Sequence, residues 1–160
     1  MVSDRRIARI IRRCQDIPGY ELFQYEDSEG HHAIDSADVN ECLREICGQD
    51  FTAKDFRTWA GTVLACSMLQ EFEEFGSQTQ AKKNVVQAIK QVAERLGNTP
   101  SVCRKSYVHP AVLDSYLSGA MIRTVKEKIE DTAEASPHAL HAEETTLLRF
   151  LEKRLKMADA

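Results

Sequence analysis

The chain has no apolar run near the ~20 residues that a membrane-spanning helix needs. Its arginine-rich start also lacks the apolar centre of a secretory signal, so the sequence reads as cytoplasmic. There is no CxxC pair. The five cysteines (Cys14, Cys42, Cys47, Cys66 and Cys103) are odd in number and irregular in spacing. That excludes a disulfide framework and a zinc ribbon, and leaves reduced, mostly buried thiols acting as small hydrophobes. No second cluster of ligands stands near His31 and His32, which read as exposed residues of a hairpin turn; His138 and His141 read likewise, and no metal site is expected. Internal repeats and low-complexity tracts are absent too, which removes repeat architectures and long disordered tails.

What is present is one domain's worth of chain. At 160 residues, with 42% hydrophobic and 29% charged residues, it can bury about two-thirds of its unfolded surface. The net charge of −4 argues against a polyanion partner only until it is resolved along the chain. Residues 1–13 carry Arg5, Arg6, Arg9, Arg12 and Arg13 against Asp4. Residues 16–50 carry ten acids against Arg44 alone, and residues 82–105 carry six bases against Glu94. Such segregation permits a basic face beside an acidic one, and local field decides what is attracted.

Periodicity gives a mainly helical reading. Ile7, Ile10, Ile11 and Cys14 recur at helical spacing over residues 4–15, and "DIPG" ends the segment. "ELFQYEDSEGHHAI", residues 21–34, offers two short extended runs joined at Ser-Glu-Gly, a small hairpin. Ser36 is placed to cap a helix through Val39, Leu43 and Ile46, with Gly48 at its end. "TAKD" at 52–55 resembles a capping box for a helix through Phe56, Trp59, Ala60, Val63 and Leu64 to about Phe75. Val85, Ile89, Val92 and Leu96 form an apolar stripe over residues 81–96, closed by Gly97 and Pro100. A short helix is expected from Ser101 to Val108. His109 precedes Pro110, which disfavours the α conformation at His109 and suits a new helix from Pro110. Two amphipathic segments follow, through Ile122, Val125 and Ile129, then Leu148, Leu151 and Leu155. The expected architecture is a single mainly α domain over 1–160 with a minor hairpin near residues 21–35.

The chemistry concentrates in "ERLGNTPSVCRKSYVHP", residues 94–110. One tyrosine stands there among cations, just past a Gly-Asn-Thr-Pro break. Tyrosines are mostly packing residues, and a phenol of pKa ~10 is almost wholly protonated at neutral pH. Attack on phosphorus therefore requires cations that lower the cost of the phenolate and fixed donors for the non-bridging oxygens. Arginine suits that task, with a planar fork that stays charged. The residues available are Tyr107, Arg57 in "KDFRTWAGT", Asn98 at the break, and Arg104 and Lys105 beside the tyrosine. In one unbroken helix Asn98 and Tyr107 would face opposite ways, about 13 Å apart along the axis. Only a bend at Gly97 and Pro100 lets them converge. On these features alone, packing roles for Tyr107 and Arg57 stay open.

Together "KDFRTWAGT" and "LGNTPSVCRKSYVHPAVL" resemble the C-terminal catalytic part of the type IB DNA topoisomerases, most closely the compact bacterial branch related to the poxvirus enzymes. The resemblance runs from "RIARIIRRCQDIPGYELFQY" to at least Leu117. It implies the helical catalytic fold shared with tyrosine recombinases, a double-stranded DNA substrate, a monomeric enzyme associated with the nucleoid, and no metal or nucleotide cofactor. It implies a 3′-phosphotyrosyl intermediate that conserves the energy of the broken bond while the free 5′ end swivels and supercoils relax. Residue by residue, Tyr107 matches the nucleophile and Arg57 an arginine on a non-bridging phosphate oxygen. Asn98 stands where poxvirus-type enzymes carry histidine; either side chain can donate to the same phosphate. Lys54 matches a backbone-contacting lysine, Arg104 and Lys105 flank the nucleophile toward DNA, and Thr99 caps a helix whose amides can face a phosphate.

The family's further arginine, its general-acid lysine and its β-rich domain lie N-terminal to anything that aligns here. The expectation is accordingly a catalytic region that is weak or inactive alone, each missing contribution being worth about 10²- to 10⁴-fold. Two other readings stand beside it. A tyrosine recombinase generally has His-x-x-Arg where this chain has "KDFR", and Leu-Gly-His where it has "LGN". A non-enzymatic DNA-binding module would keep the motifs without turnover.

Overall fold

The computed structural model describes residues 4–72, 75–120 and 140–158. It is mainly helical, with a small two-stranded hairpin. The chain divides into two compact units, residues 1–53 and 54–160.

The first unit opens with α1, Arg5–Gln15, capped by Asp4, whose carboxylate accepts from the backbone N–H groups of Arg6 and Ile7. Strands β1 (Gln24–Asp27) and β2 (Gly30–Ala33) pair antiparallel, Tyr25 opposite His32 and Glu26 opposite His31. His31 and His32 therefore sit on a strand, not in the turn. Cross-strand pairing explains it: His32 Nε2 lies 3.0 Å from the Asp27 carboxylate, and its ring stacks on Tyr25 with centroids 5.2 Å apart. Backbone Glu29 N–H and then His32 hold the Asp27 carboxyl below its usual range. Helix α2, Ser36–Cys47, is capped by Asp35 rather than Ser36. Asp35 accepts from Ala37 and Asp38, while Asp38 accepts in return from the Asp35 N–H, a reciprocal box of two carboxylates. Neither α1 nor α2 buries a residue; Ile10 is 58% and Ile46 76% exposed. The apolar spacing in these segments marks a helix, as expected.

The second unit holds the core. Helices α3 (Ala53–Glu71) and α4 (Gln78–Leu96) each run 19 residues. Ser77 caps α4 by accepting from the N–H of Gln80, and Gly97 ends it at φ 65°, a left-handed conformation that costs glycine least. Val85, Ile89 and Val92 are buried as their stripe predicts. Helix α3 buries a different kind of face. Its buried face is Gly61, Thr62, Ala65, Cys66 and Leu69, while Phe56 is 49% exposed and Trp59, Val63 and Leu64 are only half-buried. Small residues line that face because backbone from another element lies against it.

After Gly97 the chain makes α5 (Pro100–Val102) and then a π-helical turn, Cys103–Tyr107, where a continuous short helix was expected. His109, extended at ψ 126°, caps α6 (Pro110–Leu117) by accepting from the N–H of Ala111. The wholly buried Tyr116 accepts a 2.7 Å hydrogen bond from Asn84, so its phenol is a satisfied core group. The last helix, α7 (Ala142–Ala158), plants Leu147 and Phe150 in the core. It is tied down twice: Trp59 Nε1 donates to Glu144, and Arg154 donates to Ser115. The segment through Ile122, Val125 and Ile129, together with His138, lies outside the described residues.

Among the described residues no helix is long and apolar enough to cross a membrane, and no three metal-ligating side chains cluster. All five cysteines are free. Cys66 and Cys103 are buried, but Cys42 is exposed and Cys14 and Cys47 are intermediate, so the expectation of mostly buried thiols holds for two of five. Burial pushes the Cys66 thiol up to about 12.

Candidate active site

Arg57 lies in the second turn of α3, where the helix faces the C-terminal end of α4. Its guanidinium donates a 2.8 Å hydrogen bond to the carbonyl of Leu96, the last residue of α4. That carbonyl is free to accept because the helix stops there and no further turn follows to use it. Asn98, two residues on, turns its amide back and donates to the same oxygen at 3.0 Å. Arg57 and Asn98 are thus held to one acceptor, although 41 positions separate them in sequence.

The third member is Tyr107, at the end of the π turn. The Arg57 guanidinium carbon sits 5.0 Å from the centroid of the Tyr107 ring, within range of a cation–π contact. The left-handed residue at Gly97 and the restart at Pro100 supply the bend that brings the two segments round. The ring is half-buried against the core, and among the described residues its hydroxyl makes no hydrogen bond.

The turn that carries Tyr107 is seated on α3 at three successive points. Thr58 Oγ1 donates to the carbonyl of Lys54 at 2.9 Å and lies 3.3 Å from that of Ser106. Gly61 lies directly under the Tyr107 carbonyl, so close that a Cβ there would run into that oxygen. Thr62 donates to the Thr58 carbonyl and accepts from the backbone N–H of His109. Sequence reading missed these three residues. Their signal was on the page: glycine and two threonines in a helix interior are poor helix formers, and "RTWAGT" places them one turn apart on one face.

The field here is positive. Arg57 has no carboxylate partner among the described residues. Four of its five N–H donors remain beyond the bond to Leu96. Burial raises the thiol of Cys103, at the start of the same turn, and the Arg57 charge opposes that rise. A phenol, an arginine with unused donors and an amide beside it could together hold a tetrahedral anion next to an oxygen nucleophile.

The other sequence candidates are placed differently. Lys54 is exposed one turn before Arg57, and Arg104 and Lys105 are exposed on the π turn. None of the three is hydrogen-bonded to Arg57, Asn98 or Tyr107. Thr99 is the N-cap of α5, its hydroxyl accepting from the N–H of Val102 at 3.3 Å.

Comparison with known proteins accords with this arrangement. A family model described as the catalytic core of eukaryotic DNA topoisomerase I matches residues 2–136. The chain is also 33% identical, over 114 residues, to a DNA topoisomerase 1B of Acanthamoeba polyphaga mimivirus. That match covers 66% of this chain and 34% of the relative, so the chain spans about a third of that protein's length. With most of its residues matched by the family model, the chain belongs to the DNA topoisomerase I catalytic-core family.

Proposed function

We propose that this chain is a topoisomerase catalytic region, weak when acting alone, that cleaves and rejoins one strand of duplex DNA through Tyr107 and so relaxes supercoils. The phenolic oxygen attacks the scissile phosphorus, forming a 3′-phosphotyrosyl bond. The 5′ oxygen leaves and takes up a proton as the phenol loses its own; religation is the reverse. Arg57 neutralises a non-bridging oxygen as charge builds in the trigonal-bipyramidal transition state, and Asn98 donates to the same phosphate. Lys54, Arg104, Lys105 and the Thr99 turn hold the flanking backbone. The reaction needs no metal or nucleotide, since the phosphotyrosyl bond keeps the energy of the phosphodiester. The reading carries with it a monomer acting on DNA in a bacterial cytoplasm, at the nucleoid.

One observation supports it most. Arg57 reaches both the Tyr107 ring and the carbonyl shared with Asn98, so three residues from two distant motifs meet at one point. The test is a nicked duplex whose short downstream piece diffuses away after cleavage, with covalent adduct read on a denaturing gel. Adduct is expected with the native chain and none with Tyr107→Phe, while both bind the duplex equally. Adduct that persists in Tyr107→Phe would falsify the assignment of the nucleophile, and no adduct from either would overturn the activity of this chain acting alone.

A further inference from the structure

Helix α1 carries Arg5, Arg6, Arg9, Arg12 and Arg13 within about two and a half turns. At about 100° per residue all five fall within an arc of about 120°, and every one is exposed. Ile7, Ile10, Ile11 and Cys14 take the opposite side of the helix. Such a face has a local cost. Like charges four apart, Arg5 with Arg9 and Arg9 with Arg13, repel by about 0.2–0.5 kcal/mol each. Arg5 and Arg6 also oppose the helix dipole at its positive end.

Nothing within the unit offsets that cost. Among the described residues only Arg6 has a carboxylate within reach, Asp4 at 4.0 Å, and Asp4 is already occupied as the N-cap. Arg5, Arg9, Arg12 and Arg13 make no ion pair among the described residues, although ten carboxylates stand in residues 16–50. Three of those carboxylates, Glu26, Asp27 and Asp50, pair with His31, His32 and Arg44 instead. A row of unpaired guanidinium groups on a folded helix is complementary to an external polyanion. From Arg5 to Arg13 the row is about 12 Å long, the length of three to four phosphate steps at about 3.4 Å per step on one strand.

We infer that this face of α1 is a second contact with the DNA backbone, carried by a different unit from the Tyr107 site and indifferent to base sequence. The inference rests on the proposed action on DNA and adds to it a surface that tethers the duplex. Arginine forks on phosphate oxygens would supply affinity through counterion release.

The experiment compares the full chain with two triple variants of equal charge change. One is Arg5→Gln, Arg9→Gln and Arg12→Gln on α1; the other is Arg149→Gln, Lys153→Gln and Lys156→Gln on α7, whose residues are likewise exposed. Affinity for a 30-base-pair fluorescent duplex is followed by anisotropy from 50 to 200 mM salt, with adduct formation on the nicked duplex measured at low salt. The α1 variant is expected to lower the slope of log K against log salt by about 2.7, or about 0.9 per charge removed. The native chain then loses about 40-fold more affinity across that range than the variant does. The α7 variant should leave the slope within one of native, and all three proteins should form adduct at low salt. Equal slopes for the two variants would reduce the effect to net charge and overturn the inference. So would an unchanged slope in the α1 variant, including the case in which that variant instead loses binding to vesicles of 30% phosphatidylserine in phosphatidylcholine. Native adduct with an unchanged α1 slope overturns this inference alone; a native chain that neither binds duplex nor forms adduct overturns both.

Discussion

Replacing Gly61 by alanine should separate the seating of Tyr107, the proposed nucleophile, from the stability of the fold. The added Cβ would overlap the Tyr107 carbonyl oxygen, with Leu96 Cδ1 at 3.2 Å and the Tyr107 carbonyl carbon at 3.3 Å on either side. Reaching ordinary contact moves that carbonyl by about 1 Å. The obstacle is backbone, so no rotamer change relieves it, and the π turn itself must lift from α3. Alanine gains about 1 kcal/mol over glycine in a helix interior, while overpacking costs about 1–3 kcal/mol. The two nearly cancel, and the net loss of stability is about 0–2 kcal/mol. For the chemistry no such cancellation exists. A displacement of about 1 Å between reacting groups costs about 100-fold in rate. The expected result is a melting temperature within a few degrees of native by circular dichroism, unchanged duplex affinity, and adduct formation slowed about 100-fold on the nicked duplex. Adduct forming within threefold of the native rate, in a variant that folds, would refute the idea that α3 sets the position of Tyr107.

Two further outcomes follow from the same contacts. Arg57→Lys keeps a positive charge but loses the fork, and adduct formation should fall about 100-fold or more with duplex affinity within about threefold; equal rates would show that charge alone suffices. Glu144 has its carboxyl held below the usual glutamate range, first by the Trp59 indole N–H and then by the backbone N–H of His141. Because the folded value is depressed, that contribution to stability is fully present above the ordinary glutamate range and is lost as pH falls through the folded value. Trp59 is the chain's single tryptophan, so its emission reports this bond directly. Emission should shift as the bond breaks in acid, and Glu144→Gln should abolish that pH dependence, leaving only global unfolding.

Local signals in the sequence were read well where the chain's own chemistry decides the outcome. Val85, Ile89 and Val92 are buried as their spacing requires, Gly48 and Gly97 end their helices, and Pro110 starts one after an extended His109. Two adjacent residues can both cap α2, and Asp35 displaces Ser36 because Asp38 lies where it completes the reciprocal box. Periodicity located α1 and α2 but says nothing of burial, since an amphipathic pattern reports a helix face and not what covers it. The buried face of α3 was not legible from apolar size, because at Gly61 a close backbone neighbour demands a small residue. The π turn was not legible at all. One extra residue per turn leaves no mark in composition, and its reason is tertiary: it delivers the Tyr107 backbone onto Gly61. At the site the residue types were visible and the means of assembly was not, because the atom that joins Arg57 to Asn98 is a main-chain oxygen.

That oxygen gives the site a kind of inheritance. A side-chain anchor can be lost by one substitution, but the Leu96 carbonyl exists whatever residue occupies position 96. Position 98 can therefore exchange one donor for another and still find the same fixed mark against which to align. What matters instead is the path of the chain at Gly97, which points the mark at Arg57. The geometry of the candidate site is in this sense recorded in where a helix ends.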